Sequence, residues 1–133
     1  MSAAVLPLVD VWVGTLRRRD PDLLAIDVMT GLVRARRVLL LGWVRQELLT
    51  RTRDDAHASR LASALQAYPD AKLTIADQVE AARLTRSLRT TMDPAPVQTA
   101  TWAFANRIGA LLWTEDGSWQ QLAPLGLPLF VAL

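Results

Sequence analysis

Short apolar runs separated by segments of helical spacing restrict this chain more than any other feature. Strand-like runs lie at Val5 to Val9, Val38 to Leu41, Lys72 to Ile75, Ala110 to Thr114 and Leu129 to Ala132. Parallel strands must be joined by crossovers long enough to hold a helix, and such helices cover both faces of the sheet. The alternation therefore predicts an α/β fold in three layers, with a mostly parallel central sheet of four to five strands flanked by helices. Ala110 to Thr114 is almost wholly apolar and reads as a strand buried on both faces. Asp116 follows just past its carboxyl end, the edge at which open α/β sheets bind ligands. Asp before Gly is also ordinary turn chemistry, so what Asp116 does depends on which other acids reach that edge.

Helical spacing covers Val11 to Arg18 and then Asp22 to Arg36, with Leu23, Leu24, Val28, Leu32 and Val33 on the apolar side. Gly42 opens a helix over Trp43 to Thr52, and another runs from Ala56 to Ala67 with Leu61, Ala64 and Leu65 inward. Asp77-Gln78-Val79-Glu80 has capping-box form and predicts a helix through Leu88, with Val79, Ala82 and Leu84 as core candidates. Prolines 94 and 96 make Met92 to Pro96 a loop, and Val97 to Ile108 is a helix that delivers the chain to Gly109. Pro7 lacks a ladder donor, which predicts either a local irregularity in the first strand or a changed strand order.

At 133 residues the chain fits one domain, 1–133, large enough to bury a core without staples. Although 51% of residues are hydrophobic, no apolar run approaches the length of a membrane span. The absence of cysteine excludes disulfides and thiolate metal sites. MSAAVLPLVDVWV lacks a basic leader and a cleavage site, so the expected location is cytoplasmic. The net charge of +2 is mild, but arginines cluster at 17–19, at 34, 36 and 37, at 45, 51 and 53, and at 83, 86 and 89. Arginine suits bidentate contact with phosphate, as an RNA partner would require, and such runs also occur on solvated helix faces.

Three stretches, VDVWVGTLRRRDP at 9–21, GWVRQELLTRTR at 42–53 and GALLWTEDGSW at 109–119, together resemble the PIN domain, and within it the VapC-type toxins of bacterial toxin-antitoxin pairs. The similarity covers nearly the whole chain. It implies a PIN-like fold whose acids meet at the carboxyl edge of the sheet, bind Mg²⁺ or Mn²⁺ and support endoribonuclease chemistry. Hard divalent cations take oxygen ligands, and a bound pair activates water and stabilises the leaving oxygen of a phosphodiester. The resemblance also implies an antitoxin-like protein partner and a homodimer.

Carried across residue by residue, the resemblance assigns Glu47 and Asp116 to two of the acidic positions. The first acid's position falls on Leu8 when Val11-Trp12-Val13 and Leu16-Arg17-Arg18 are kept in register, which leaves Asp10 in the neighbouring small polar position. A further acid is replaced by Gln98, whose amide oxygen is a weak neutral ligand, and Ser118 replaces another. The implied catalytic set is Asp10, Glu47, Asp116 and Gln98, the implied metal ligands are Asp10, Glu47 and Asp116, and Arg17, Arg18 and Arg45 are the candidate phosphate contacts. Loss of an outer-sphere partner alone costs roughly 10- to 100-fold in metal affinity. Two missing ligand carboxylates should therefore leave the cation weakly held or absent.

Each of these residues also has a plainer role. Glu47 can pair with Arg51 at i,i+4, Asp10 can cap the short helix that follows it, Asp93 before Pro94 suits a turn, and His57 lies in a polar helix start. Most of the five tryptophans have core spacing, although Trp43 and Trp119 lie near the helix acid and the strand-end turn, where they could stack on a base or on a partner's arginine. Two functions follow: a VapC-like metal-dependent endoribonuclease with weakened or lost activity, or a non-catalytic PIN-fold module binding RNA or an antitoxin-like protein.

Overall fold

The computed structural model describes residues 2–132. The chain begins with β1 (Val5–Pro7), α1 (Val9–Leu16), α2 (Leu23–Arg34) and β2 (Leu40–Leu41). Next come α3 (Gly42–Thr50), α4 (Asp55–Leu65) and β3 (Asp70–Ala71), followed by α5 (Ile75–Leu88), α6 (Pro96–Ile108), β4 (Leu111–Trp113) and the short α7 (Gly117–Gln120). β1 pairs with β4 in parallel, with Val5 opposite Leu111 and Pro7 opposite Trp113. β2 pairs with β3 in parallel, and a parallel bridge between Val5 and Val38 links the two ladders. A second parallel bridge, Leu112 to Leu129, carries the layer to the C-terminal segment. The α/β class is as expected, but the strands are shorter than their apolar runs and Leu129 to Ala132 contributes one bridge instead of a strand.

Pro7 explains part of that shortening. The Val5 amide donates to the Arg37 carbonyl on the β2 side, whereas the Leu8 amide donates to the Trp113 carbonyl on the β4 side. Alternation along the strand turns the Pro7 nitrogen toward β2, where its missing hydrogen ends the pairing after the bridge. The ladder to β4 keeps its donors, so β1 stays central and the sheet divides into two short ladders. The Pro7 carbonyl is also used, accepting from the Trp12 indole at 3.1 Å.

Val5, Leu6, Leu40 and Leu112 are each at most 1% exposed and form the middle of the core between the helices. Several expected inward faces are corrected. Leu23 and Leu24 are 74% and 60% exposed; α2 buries Leu32 as expected but turns Ala25 and Met29 inward in their place. On α5, Val79 is 66% exposed and Ala82 is also exposed, while Asp77, Ala81, Leu84 and Leu88 are buried. The capping box sits one turn earlier than the pattern suggested: Thr74 caps the helix, and Asp77 answers as its acidic partner. Lys72 to Ile75, read as a strand, is the connection from β3 into that cap. Gly109 ends α6 at φ 70°, a left-handed cap that turns the chain into β4. Among the described residues, no helix is long and apolar enough to cross a membrane.

Candidate functional site at the carboxyl edge

β1 and β4 are parallel neighbours, so their carboxyl ends open on the same side. α1 starts directly after β1 and brings Leu8 and Asp10 to that edge, while α3 starts directly after β2 and brings Trp43 and Glu47. The spacing of Trp43 and Glu47 is i,i+4, which puts both on one face of α3. The turn after β4 supplies Asp116 and Trp119. Asp10, Glu47 and Asp116 line a common cavity of about 400 Å³ together with Arg51. Leu8, Val97, Trp43 and Trp119 form its apolar walls. The three acids singled out from the sequence thus line one cavity, and Arg51 shares it without forming an ion pair with any of them.

Asp10 does not cap α1; Leu8 holds that position, with no side-chain cap. Both oxygens of Asp10 are engaged. Thr114 Oγ1 donates to Oδ1 at 2.8 Å, and the Glu115 amide donates to Oδ2 at 2.8 Å. Asp116 caps α7, with Oδ1 accepting from the Ser118 amide at 2.8 Å, so its turn role and its place in the cavity coexist. Glu47 is solvent-exposed on α3. Gln98 is buried behind the wall: its Oε1 accepts from the Ala95 amide and its Nε2 donates to the Ser118 carbonyl, each at 2.9 Å. Its amide oxygen is therefore bound within α6's first turn and is not among the groups lining the cavity.

The candidate phosphate contacts lie elsewhere. Arg45 is part-buried, donating to the Leu65 carbonyl at 3.4 Å and facing Asp70 at 3.8 Å, which fastens α3 to the end of α4 and to β3. Arg17 and Arg18 are exposed just past α1. Arg17 lines a separate, largely apolar groove with Arg51 and His57.

These residues fit a divalent cation poorly. Such an ion takes about six or more oxygen ligands, yet Leu8 presents hydrocarbon, each Asp10 oxygen already accepts one protein hydrogen bond, and the Gln98 oxygen accepts from the Ala95 amide outside the cavity. Among the described residues, no group of three or more His, Cys, Asp or Glu is arranged to hold a metal ion.

What the cavity has in abundance is aromatic surface. The rings of Trp43 and Trp119 stack with centroids 5.9 Å apart and planes 2° from parallel, an offset arrangement favoured by the indole quadrupoles. Trp43 is fixed by donating to Thr101 Oγ1 at 3.0 Å, and Thr101 is fully buried. Sequence reasoning had placed both indoles near the acids but leaned to a core role. Trp119 is buried, Trp43 is half-buried, and both face the cavity. Thr114 was missed as a site residue. Its only sequence signal is its place between a buried strand and an acid, where a hydroxyl can bond in two directions, as it does to Asp10 and from the Asp116 amide.

The arrangement of strands and crossovers recurs in solved structures. A chain of the FitAB complex bound to an IR36 DNA fragment superposes with a TM-score of 0.77 at 16% identity, over 95% of this chain and 93% of that one. The fold is PIN-like. FitAcB from Neisseria gonorrhoeae gives a TM-score of 0.73 at 15% identity, over 96% and 97% of the two chains. VapBC2 from Rickettsia felis, bound to a DNA fragment from their promoter, gives 0.75 at 11% identity, over 95% and 96%. At these identities the PIN-like likeness is one of backbone architecture. No family model and no curated protein matches the sequence.

Proposed function

We propose that this chain is a non-catalytic, PIN-fold binding module of the toxin-antitoxin type, which uses the carboxyl-edge cavity to hold a cationic side chain of an antitoxin-like protein partner. The observation that carries this reading is the pairing of three carboxylates, Asp10, Glu47 and Asp116, with a stacked tryptophan wall in one cavity, where Leu8 and the engaged Asp10 suit a divalent cation poorly. A guanidinium suits such a place. It is planar, stacks on indole faces and donates to carboxylates without the full oxygen shell that Mg²⁺ or Mn²⁺ demands. A phosphodiester does not suit it, because the acids repel phosphate when no cation intervenes. RNA hydrolysis by an endoribonuclease would need that cation. Arg17 and Arg18 stand outside the cavity, and the one guanidinium that lines it, Arg51, leaves the three acids with a surplus of negative charge.

Titration with arginine amide, followed by tryptophan fluorescence, tests the chemistry with a defined probe. Saturable quenching is expected, weakened roughly 2- to 5-fold by Glu47→Gln and again by Asp116→Asn, as about 0.5–1 kcal/mol per exposed ion pair implies. Absence of saturation, combined with Mn²⁺-dependent cleavage of a structured RNA that Asp116→Asn abolishes, would show the enzyme reading to be correct instead.

A further inference from the structure

The hydrogen bonds around the cavity point to a role for the acid-replacing positions that goes beyond ligand binding. We propose that Gln98 and Asp10 are positioning residues, forming a metal-independent clasp that locks the 114–119 segment so that Trp119 stays stacked on Trp43. The clasp has two arms. From α1, Asp10 receives the Thr114 hydroxyl and the Glu115 amide. From α6, Gln98 donates to the Ser118 carbonyl, one residue before Trp119. Gln120 Nε2 donates to the Thr114 carbonyl at 2.7 Å, and Asp116 caps the Ser118 amide, which closes the segment on itself.

The chemistry at position 98 is specific. The bond to Ser118 requires a donor, and an ionised carboxylate has none. A glutamate there would aim an anion at a carbonyl oxygen in a buried place. The amide satisfies both ends, because its oxygen takes the Ala95 amide while its nitrogen reaches Ser118. Gln98 is only 8% exposed, so either end left unpaired is costly. The opposite wall is held separately by the bond from Trp43 to Thr101. Together these contacts fix both indoles, each from a different helix, through protein hydrogen bonds. The aromatic wall is ordered before any ligand arrives, which lowers the conformational cost of binding.

Far-ultraviolet circular dichroism reads this directly, because two stacked indoles give an exciton couplet. Trp43→Phe assigns the couplet by removing it. In wild type the couplet should be unchanged by EDTA or by Mn²⁺. Gln98→Glu should shift the pair toward the unstacked arrangement roughly tenfold, the consequence of one lost buried hydrogen bond, while the helical signal persists. Asp10→Ala provides a second variant should Gln98→Glu not fold: it removes the acceptor of both the Thr114 hydroxyl and the Glu115 amide, and the couplet should weaken. A full-strength couplet in both variants, or a wild-type couplet that depends on Mn²⁺, would overturn the clasp. Arginine amide binding can fail without affecting these outcomes, so the two proposals are separable.

Discussion

Replacing Asp77 with alanine is expected to lower the thermal midpoint by roughly 10 °C at neutral pH, from a loss of about 2–4 kcal/mol. The Asp77 side chain is 1% exposed and Arg107 is 42% exposed. Asp77 accepts from Arg107 Nε at 2.7 Å and Nη2 at 3.0 Å, and also from the Thr74 amide at 2.9 Å. One carboxylate thus completes the α5 cap and ties the start of α5 to the end of α6. Its removal unmakes the capping box and a bidentate pair while leaving the Thr74 amide without a partner. The effect should depend on pH. Hydrogen bonds from Arg107 foremost, helped by Thr74 and opposed by burial, hold the Asp77 carboxyl below its usual 3.8. In the unfolded chain the group titrates near that usual value. The stabilisation is therefore complete above it, declines as pH falls below it and is gone once pH has passed the lowered native value. Thermal melts of wild type and Asp77→Ala should differ most at neutral pH and converge in acid; a gap that persists unchanged at low pH would rule out the ion pair as its source.

Leu8→Asp should have a similarly large effect, and one that responds to a cation. Leu8 is 2% exposed at the start of α1 and lines the cavity that holds Asp10, Glu47 and Asp116. An aspartate would gain about 1 kcal/mol as a helix cap. It would lose the burial of a leucine, about 1.5–3 kcal/mol, and add a fourth carboxylate to a cavity that already holds three. In EDTA the net cost should be roughly 3 kcal/mol. Mn²⁺ should then restore part of it, since a ligand at about 100 times its Kd stabilises the folded state by about 2.7 kcal/mol. The wild-type melting temperature should not respond to Mn²⁺. A Leu8→Asp melt equally indifferent to Mn²⁺ would mean that position 8 and the three acids do not share a coordination volume.

The fold was largely legible because short continuous apolar runs alternate with segments of helical spacing, as parallel strands joined by helical crossovers do. The strand ends were not. Pro7 acts through the direction of one missing N–H, which can be assigned only when the flanking strands are known. Leu23, Leu24 and Val79 misled because helical spacing identifies a face without saying which side is covered; α2 turns Ala25 and Met29 inward beside the expected Leu32, and α5 turns Ala81 and Leu88 inward beside the expected Leu84. In the site, Asp116 was identifiable from its place just past a strand's carboxyl end, whereas Glu47 and Asp10 were reached through the resemblance of their stretches to the PIN domain. Gln98 was identified as a position, but its function was not. Whether an amide oxygen faces a cavity or a neighbouring N–H depends on the turn at Ala95 and the carbonyl of Ser118, which is 20 residues away in sequence. The Thr114 hydroxyl, bonded to a carboxylate 104 residues earlier, has no local signature beyond its place between a buried strand and an acid.

Calorimetric titration of Mn²⁺ into the wild-type protein, repeated with Asp116→Asn, addresses the cavity's chemistry most directly. With Leu8 in the wall, both Asp10 oxygens engaged and Gln98 turned to Ser118, no saturable heat is expected below millimolar Mn²⁺, and the two proteins should give the same trace. Stoichiometric micromolar binding to the wild type that disappears in Asp116→Asn would contradict the reading of this edge as a cation-free binding site.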